Sequence, residues 1–439
     1  MDDPAANPKA GGLGMTPAVG GTRQVPIPEP IIRDYLLLAL RLDQHRPGLV
    51  DGYYGPADIK AQADMEALRP PAHLADDAVG IRERLPAEID DLPRREFLRA
   101  QLVALEAQAR ISAGAPIPYE ELVGLYFDMP MRRVDEALFR SALSDLDAVL
   151  PGAGPHEPRL EAWDRQFTIE PDRVQIVADH LAERFRARAA ELFDLPDGEA
   201  ARINLVRNRP WSGYHWYEGG RRSRVELNLD LPVRLPALMH TVAHETYPGH
   251  HLEAATKEAR LVDAGRRTEH TLLSINTPEC LLREGLADLG YGFAVPPADE
   301  SALIEEMIRR FDLPVARDPV AMRAVGAAQP VIRQARAVLR GISGNAALMR
   351  HVDGRSHEDV ADYLVTAGAR TPAAAEKQLE FIEHPLWRTY VFVYREGEAL
   401  LDRWLKRLAD TEHPSQFARL LAEPLTPSAI QAELDPLKP

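Results

Sequence analysis

Apolar residues recur at helical spacing along almost the whole chain and alternate at strand spacing in only one stretch. That pattern excludes the repeated strand–helix alternation on which a parallel α/β sheet depends. Helices are predicted over 31–42, ended by Arg46-Pro47-Gly48, and over 56–68, 76–85, 94–112, 119–127 and 133–150. A further helix is predicted over 172–193, with Pro171 at a suitable first-turn position. Asp51-Gly52-Tyr53-Tyr54-Gly55-Pro56 reads as a turn or loop. The strand signal lies at 211–230, where Tyr214, Trp216, Val225 and Leu227 alternate with more polar residues. Gly219-Gly220 supplies a tight hairpin turn between them. Helical patterning resumes at about Pro236 and runs almost to the end. The expectation is a mainly α fold with a small antiparallel sheet.

Composition narrows the possible partners. The formal net charge of -15 repels a phosphate backbone, so no nucleic-acid partner is expected. No apolar run approaches a membrane span, so no membrane partner is expected either. Cys280 is the one cysteine, which rules out an intramolecular disulfide and a thiolate cluster. Any metal must therefore be held by histidines and carboxylates. Residues 1–27, rich in Gly, Pro and Ala, read as a disordered tail rather than a signal peptide, which fits a cytoplasmic protein. An N-terminal helical region is expected over 28–205. A second helical region carrying the hairpin is expected over 206–435, packed with the first as one unit.

The densest chemistry is the stretch from Met239 to His251, which holds His240, His244, Glu245, Tyr247-Pro248-Gly249, His250 and His251. Histidines at i and i+4 of one helix can chelate zinc, with a following Glu polarising the attacking water. Here the i+4 position from His244 is Pro248. In an undistorted helix His251 would lie two turns away, about 10 Å along the axis at roughly 1.5 Å per residue. His250 would face the other side. Pro248 lacks an N–H and Gly249 tolerates unusual dihedrals, so a bulge there could return His250 to the second-ligand position. His250 is favoured, with His251 as the alternative. His240 and His244 form a rival i, i+4 pair, although His240 also fits a core or supporting role.

A third ligand is expected from a second helix. Thr277-Pro278-Glu279 reads as an N-cap and first turn, opening a helix to roughly Gly290. Glu284 lies inside it among apolar neighbours, where a buried carboxylate needs a cation. Gly285 would permit close approach of a backbone or of the metal-bearing helix. Asp288, one turn on, could accept the other N–H of a ligating histidine. Two histidines and a glutamate would leave a zinc ion one open position for water, with Glu245 as general base.

These residues carry a family resemblance. His244-Glu245-Thr246-Tyr247-Pro248-Gly249-His250-His251 resembles the signature of a large bacterial family numbered 885 among the domains of unknown function. Glu284-Gly285-Leu286-Ala287 is similar to its Glu-Gly-Trp-Ala element, with Leu286 replacing the tryptophan. Val393-Tyr394-Arg395-Glu396-Gly397 is similar to its Tyr-x-x-Gly segment. The resemblance runs from about Gly213 to Ala399. It implies a helical, two-lobed, gluzincin-like zinc-peptidase fold, similar to angiotensin-converting enzyme and the carboxypeptidase Taq group. The histidines of 351–357 match the family only loosely.

Substrate contacts are expected from three places. The strand 224–229 could offer an edge to an extended substrate, with Asn228 touching a peptide group. Tyr394 could stabilise an oxyanion. Arg388 and Tyr390 could bind a carboxylate or carbonyl, and His384-Pro385 could mark a loop at the cleft. The leading expectation is a zinc hydrolase of a peptide or small amide. The alternatives are a metal-dependent amidase or lyase on a specialised metabolite, and a catalytically silent metal-binding scaffold.

Overall fold

The computed structural model describes residues 25–209 and 211–435; the tail expected over 1–27 lies outside them up to residue 24. The fold is mainly helical, with two small sheets. The helix Pro30–His45 starts on a proline at a first-turn position and ends at Arg46, just ahead of Pro47-Gly48. It buries Ile31, Ile32, Leu36, Leu38 and Leu42 against the helices Pro71–Glu88 and Leu92–Ser112. Each such side chain withdrawn from water contributes roughly 1.5–3 kcal/mol before the entropy of ordering is counted. Pro71–Glu88 exceeds the predicted 76–85 at both ends: it opens on Pro71 at a first-turn position and runs past Pro86 to Glu88. The helix His156–Arg165, which carries buried Trp163, was not predicted.

The hairpin is present, but it belongs to a larger sheet. β1 (Val50–Tyr53) pairs antiparallel with β5 (Leu272–Ser274), and together they form one two-stranded sheet. The other sheet contains β2 (Ala200–Val206), β3 (Gly213–Gly219) and β4 (Arg222–Asn228), in the order β2-β4-β3. β3 and β4 are antiparallel across a turn in which Gly219, Gly220 and Arg221 all have positive φ. β2 runs parallel to β4. The expected antiparallel sheet is therefore mixed, and β4 is its central strand. β4 has no free edge to offer a substrate, which corrects the expectation for 224–229.

The segment read as a loop at 51–56 begins inside β1. The second half of the chain supplies the helices Leu235–Glu245, His250–Lys257, Pro278–Ala294 and Val393–Leu405. Pro278–Ala294 packs most extensively on Val393–Leu405. Among the described residues no helix is long and apolar enough to cross a membrane.

Candidate metal centre

The 235–245 helix buries Leu235, Leu238, Met239 and Val242, and this face anchors His244 and Glu245 in its last turn. It stops at Thr246, whose backbone leaves helical values. The Tyr247–Pro248 peptide is cis, and Gly249 caps the next helix. A Cβ at Gly249 would lie 1.9 Å from the His244 carbonyl oxygen, so only glycine allows the chain to fold back this closely. The turn returns His250 beside His244, with ring centroids 4.6 Å apart.

Glu284 arrives from the 278–294 helix, which Thr277 caps by accepting from the Cys280 N–H at 3.3 Å. Its Oε2 lies 3.5 Å from His244 Nε2 and its Oε1 lies 3.7 Å from His250 Nε2. Donors at about 2.0–2.2 Å from a tetrahedral zinc stand about 3.4 Å from one another. The spacing therefore suits an ion between them. Ligand atoms of His244, Glu245 and His250 also fall within 4.8 Å of one another. Distance alone thus leaves either Glu284 or Glu245 as the carboxylate ligand. Glu284 has the stronger claim, because its two oxygens face both imidazoles.

Electrostatics point the same way. Burial works against a charge on His244, yet Asp288 and Glu284 raise its pKa well above the usual value. Burial also opposes the Glu284 charge, but His250 and His244 hold that carboxyl well below its ordinary range. Asp288 is 1 % exposed and accepts from His244 Nδ1 at 2.9 Å. Arg340 and His244 keep it ionised against the effect of burial. An ionised carboxylate can only accept, so Nδ1 carries the hydrogen and Nε2 faces Glu284. Near neutrality His240 is an uncharged imidazole, pushed down to about 4 by burial. Its Nε2 lies 3.4 Å from Asp288 Oδ1, and its ring centroid is 5.9 Å from that of His244.

The 393–405 helix closes the site through a glycine contact. A Cβ on Gly285 would lie 2.2 Å from the Gly397 carbonyl carbon, and one on Gly397 would lie 2.2 Å from the Leu281 oxygen. The backbone that approaches Gly285 is therefore that of the 393–405 helix, not of the histidine-bearing one. The contact sets Tyr390 and Tyr394 over Glu284. Tyr390 donates to Glu284 Oε1 at 2.8 Å. Tyr394 has no hydrogen-bond partner among the described residues. Burial, followed by the Glu284 charge, keeps its hydroxyl protonated. These groups line a cavity of about 140 Å³.

No family model matches the chain, and no curated protein matches it. Solved structures do. A protein from Colwellia psychrerythraea described as a lipoprotein aligns at 13% identity and TM-score 0.49, covering 93% of this chain and 76% of that one. A protein of unknown function from Shewanella oneidensis, likewise described as a lipoprotein, aligns at 10% identity and TM-score 0.46, covering 92% and 82%. Metallocarboxypeptidase 1 of Trypanosoma cruzi aligns at 11% identity and TM-score 0.38, covering 92% and 94%. Scores and identities this low carry no argument about this chain.

Three expected site residues lie elsewhere. His251 is fully buried on the far side of the turn. It is within 2.7 Å of Ser223 Oγ through Nδ1 and 2.8 Å of Glu199 through Nε2, so both nitrogens are committed away from the metal centre. Asn228 Nδ2 donates to the Arg209 carbonyl and does not line the cavity. Arg388 lies over the Tyr119 ring and is likewise absent from the cavity wall. His384 Nδ1 accepts the Leu386 N–H, and His351 and His357 bond Ile382 and Glu376, all outside the site.

Other cavity residues escaped sequence reasoning. Asp51 and Tyr54 come from β1 and its following turn, and Tyr214, His215 and Tyr217 from β3. Lys257, His270 and Arg283 complete the opposite wall. The strand alternation around Tyr214 was visible, but not which face it turned to the site.

Proposed function

We propose that the chain is a metal-dependent hydrolase of a peptide or small amide bond, with zinc as the favoured ion. One observation carries the reading. Two imidazole Nε2 atoms face the two oxygens of Glu284 at 3.5 and 3.7 Å, in a cavity that also holds Glu245. The ligands are His244, His250 and Glu284, and His and carboxylate donors also admit manganese or cobalt. A zinc ion bound there would leave one position open and would acidify a water toward about pH 7. Glu245 takes the water's proton and returns it to the leaving amine. Tyr394 points a protonated hydroxyl into the cavity, where it donates to the developing oxyanion. Tyr390 holds Glu284 in place, and Asp288 holds His244. The resemblance of the Pro-Gly-His-His block to the bacterial family above supports the same chemistry. A cytoplasmic location, with short peptides as substrates, belongs to this proposal.

A second reading follows from the closeness of Glu245 to the two histidines. If Glu245 is a fourth ligand, the shell is closed and the site is structural. The test is metal content by mass spectrometry on protein purified without a metal-affinity tag. About one zinc per chain is expected, lost in His244→Ala, His250→Ala and Glu284→Ala but retained in His251→Ala, His240→Ala and Glu245→Gln. Loss of metal in Glu245→Gln would favour the closed site. No zinc in well-folded wild-type protein would end the proposal. A panel of dipeptides, blocked peptides and acyl-amides then separates a peptidase from a specialised amidase.

A further inference from the structure

The cavity wall beside Glu284 carries a chain of charges that the metal chemistry does not use. Arg283 Nε donates to Glu253 Oε2 at 2.9 Å. Lys257 Nζ lies 2.7 Å from Glu253 Oε1 and 3.2 Å from Glu279 Oε1. The signs alternate along Arg283, Glu253, Lys257 and Glu279, and the ammonium of Lys257 is engaged by two carboxylates. Arg283 also feels the charge of Asp51, a third carboxylate and one that lines the same cavity. Its Nε is satisfied, but Nη1 and Nη2 have no hydrogen-bond partner among the described residues. The side chain is 13 % exposed, and that exposure opens onto the cavity.

A second group on the same wall is also unsatisfied. His270, 1 % exposed in its side chain, leaves both ring nitrogens without a hydrogen-bond partner, and Nδ1 stands 4.0 Å from Glu279 Oε1. Most buried polar groups find a partner within the protein. His270 does not, and it lines the same cavity as the outer nitrogens of Arg283, which marks a place for polar atoms of a ligand.

The chemistry of those atoms follows from the donors. A guanidinium anchored by Nε presents its outer N–H groups as a fork that matches a planar carboxylate. Imidazole adds one more N–H. A carboxylate at the outer nitrogens would be attracted to the guanidinium, whereas an amine there would be repelled by it. Arg283 and Glu284 are consecutive and both line this cavity, so a substrate that fills it would meet the guanidinium and the metal centre together. We propose that Arg283, assisted by His270, recognises a free carboxylate on the substrate. The substrate class is then short peptides or N-acyl amino acids with an unblocked acid next to the amide that is cut. The placing of the cut bond rests on the hydrolase reading; the carboxylate site does not.

The test is calorimetry of N-acetyl-L-phenylalanine and its amide, N-acetyl-L-phenylalaninamide, on the Glu245→Gln protein, with and without a chelator. The acid should bind roughly 10- to 100-fold tighter than the amide. In Arg283→Gln that preference should fall to about twofold or less. Arg283→Lys keeps a cation for Glu253 but lacks the fork, so it should fold and still lose most of the preference. Equal binding of acid and amide, or no acid binding at millimolar concentration, would overturn the proposal. So would a preference that survives Arg283→Gln and vanishes on chelation, since the acid would then be sitting on the metal. Acid binding through Arg283 in a protein that cuts no peptide would keep this inference and remove the hydrolase reading.

Discussion

His244 and Asp288 are 44 positions apart in sequence, and their side chains meet at 2.9 Å. The contact fixes which nitrogen of His244 faces Glu284, because an ionised Asp288 can only accept a hydrogen. Asp288→Ala should leave the fold intact and weaken metal binding about 10- to 100-fold, as losing such a supporting carboxylate does. Competition against a chelator of known affinity measures it. Unchanged affinity would remove Asp288 from the site.

Glu245→Gln keeps the shape of the side chain and removes its ability to take a proton. Metal content should stay at the wild-type level while turnover of a responsive peptide falls by about 10²- to 10⁴-fold. Equal turnover in the two proteins would show that the base is another group.

Two glycines are expected to resist even alanine. Gly249 lies under the His244 carbonyl, and Gly285 lies against Gly397. In both places the obstacle is backbone, so the added methyl must move a chain segment. Each Gly→Ala variant should lose at least about 1–3 kcal/mol in urea unfolding and bind metal poorly. Wild-type stability in either would mean that the contact is looser than described.

His251 separates structure from chemistry. It links Ser223 to Glu199, which also accepts from Tyr247 and Arg186. His251→Ala removes one hydrogen-bond partner from buried Glu199 and from Ser223 and should cost about 1–3 kcal/mol while metal content is retained. Loss of metal from an equally stable variant would move His251 back among the ligands.

Acid should expose the charge chain on the cavity wall. Burial opposes the Glu279 charge, but the Lys257 ammonium holds its carboxyl at about 2, below the ordinary 4.5. A folded-state pKa below the unfolded value contributes stability that is fully present above pH 4.5. That stability is lost as pH falls toward 2. The contribution is about 3 kcal/mol. Urea midpoints measured across that window should fall less steeply in Glu279→Gln than in wild type. Parallel slopes would count against the pairing.

The sequence by itself carried the helices, because their apolar faces repeat locally, and the hairpin, because Gly219-Gly220 sits between alternating runs. It also carried the chemistry of the centre, since His244, Glu245 and His250 lie within seven residues and only a Pro-Gly break could bring the second histidine back. Glu284 and Asp288 were legible as carboxylates in an apolar helix that needed cationic partners. β2 was not, because a parallel strand owes its place to β4, and only Ile203 of its residues is buried. The fate of His251 was not either: Ser223 and Glu199 claim it, from 28 and 52 positions away. Arg283 and His270 look like ordinary helix and turn residues until the cavity forms between them and the metal helix. Local periodicity and backbone sterics are written along the chain, and they decided the elements. Which buried polar group finds a partner, and which is left facing a cavity, depends on contacts between distant segments, and only the tertiary structure decided that.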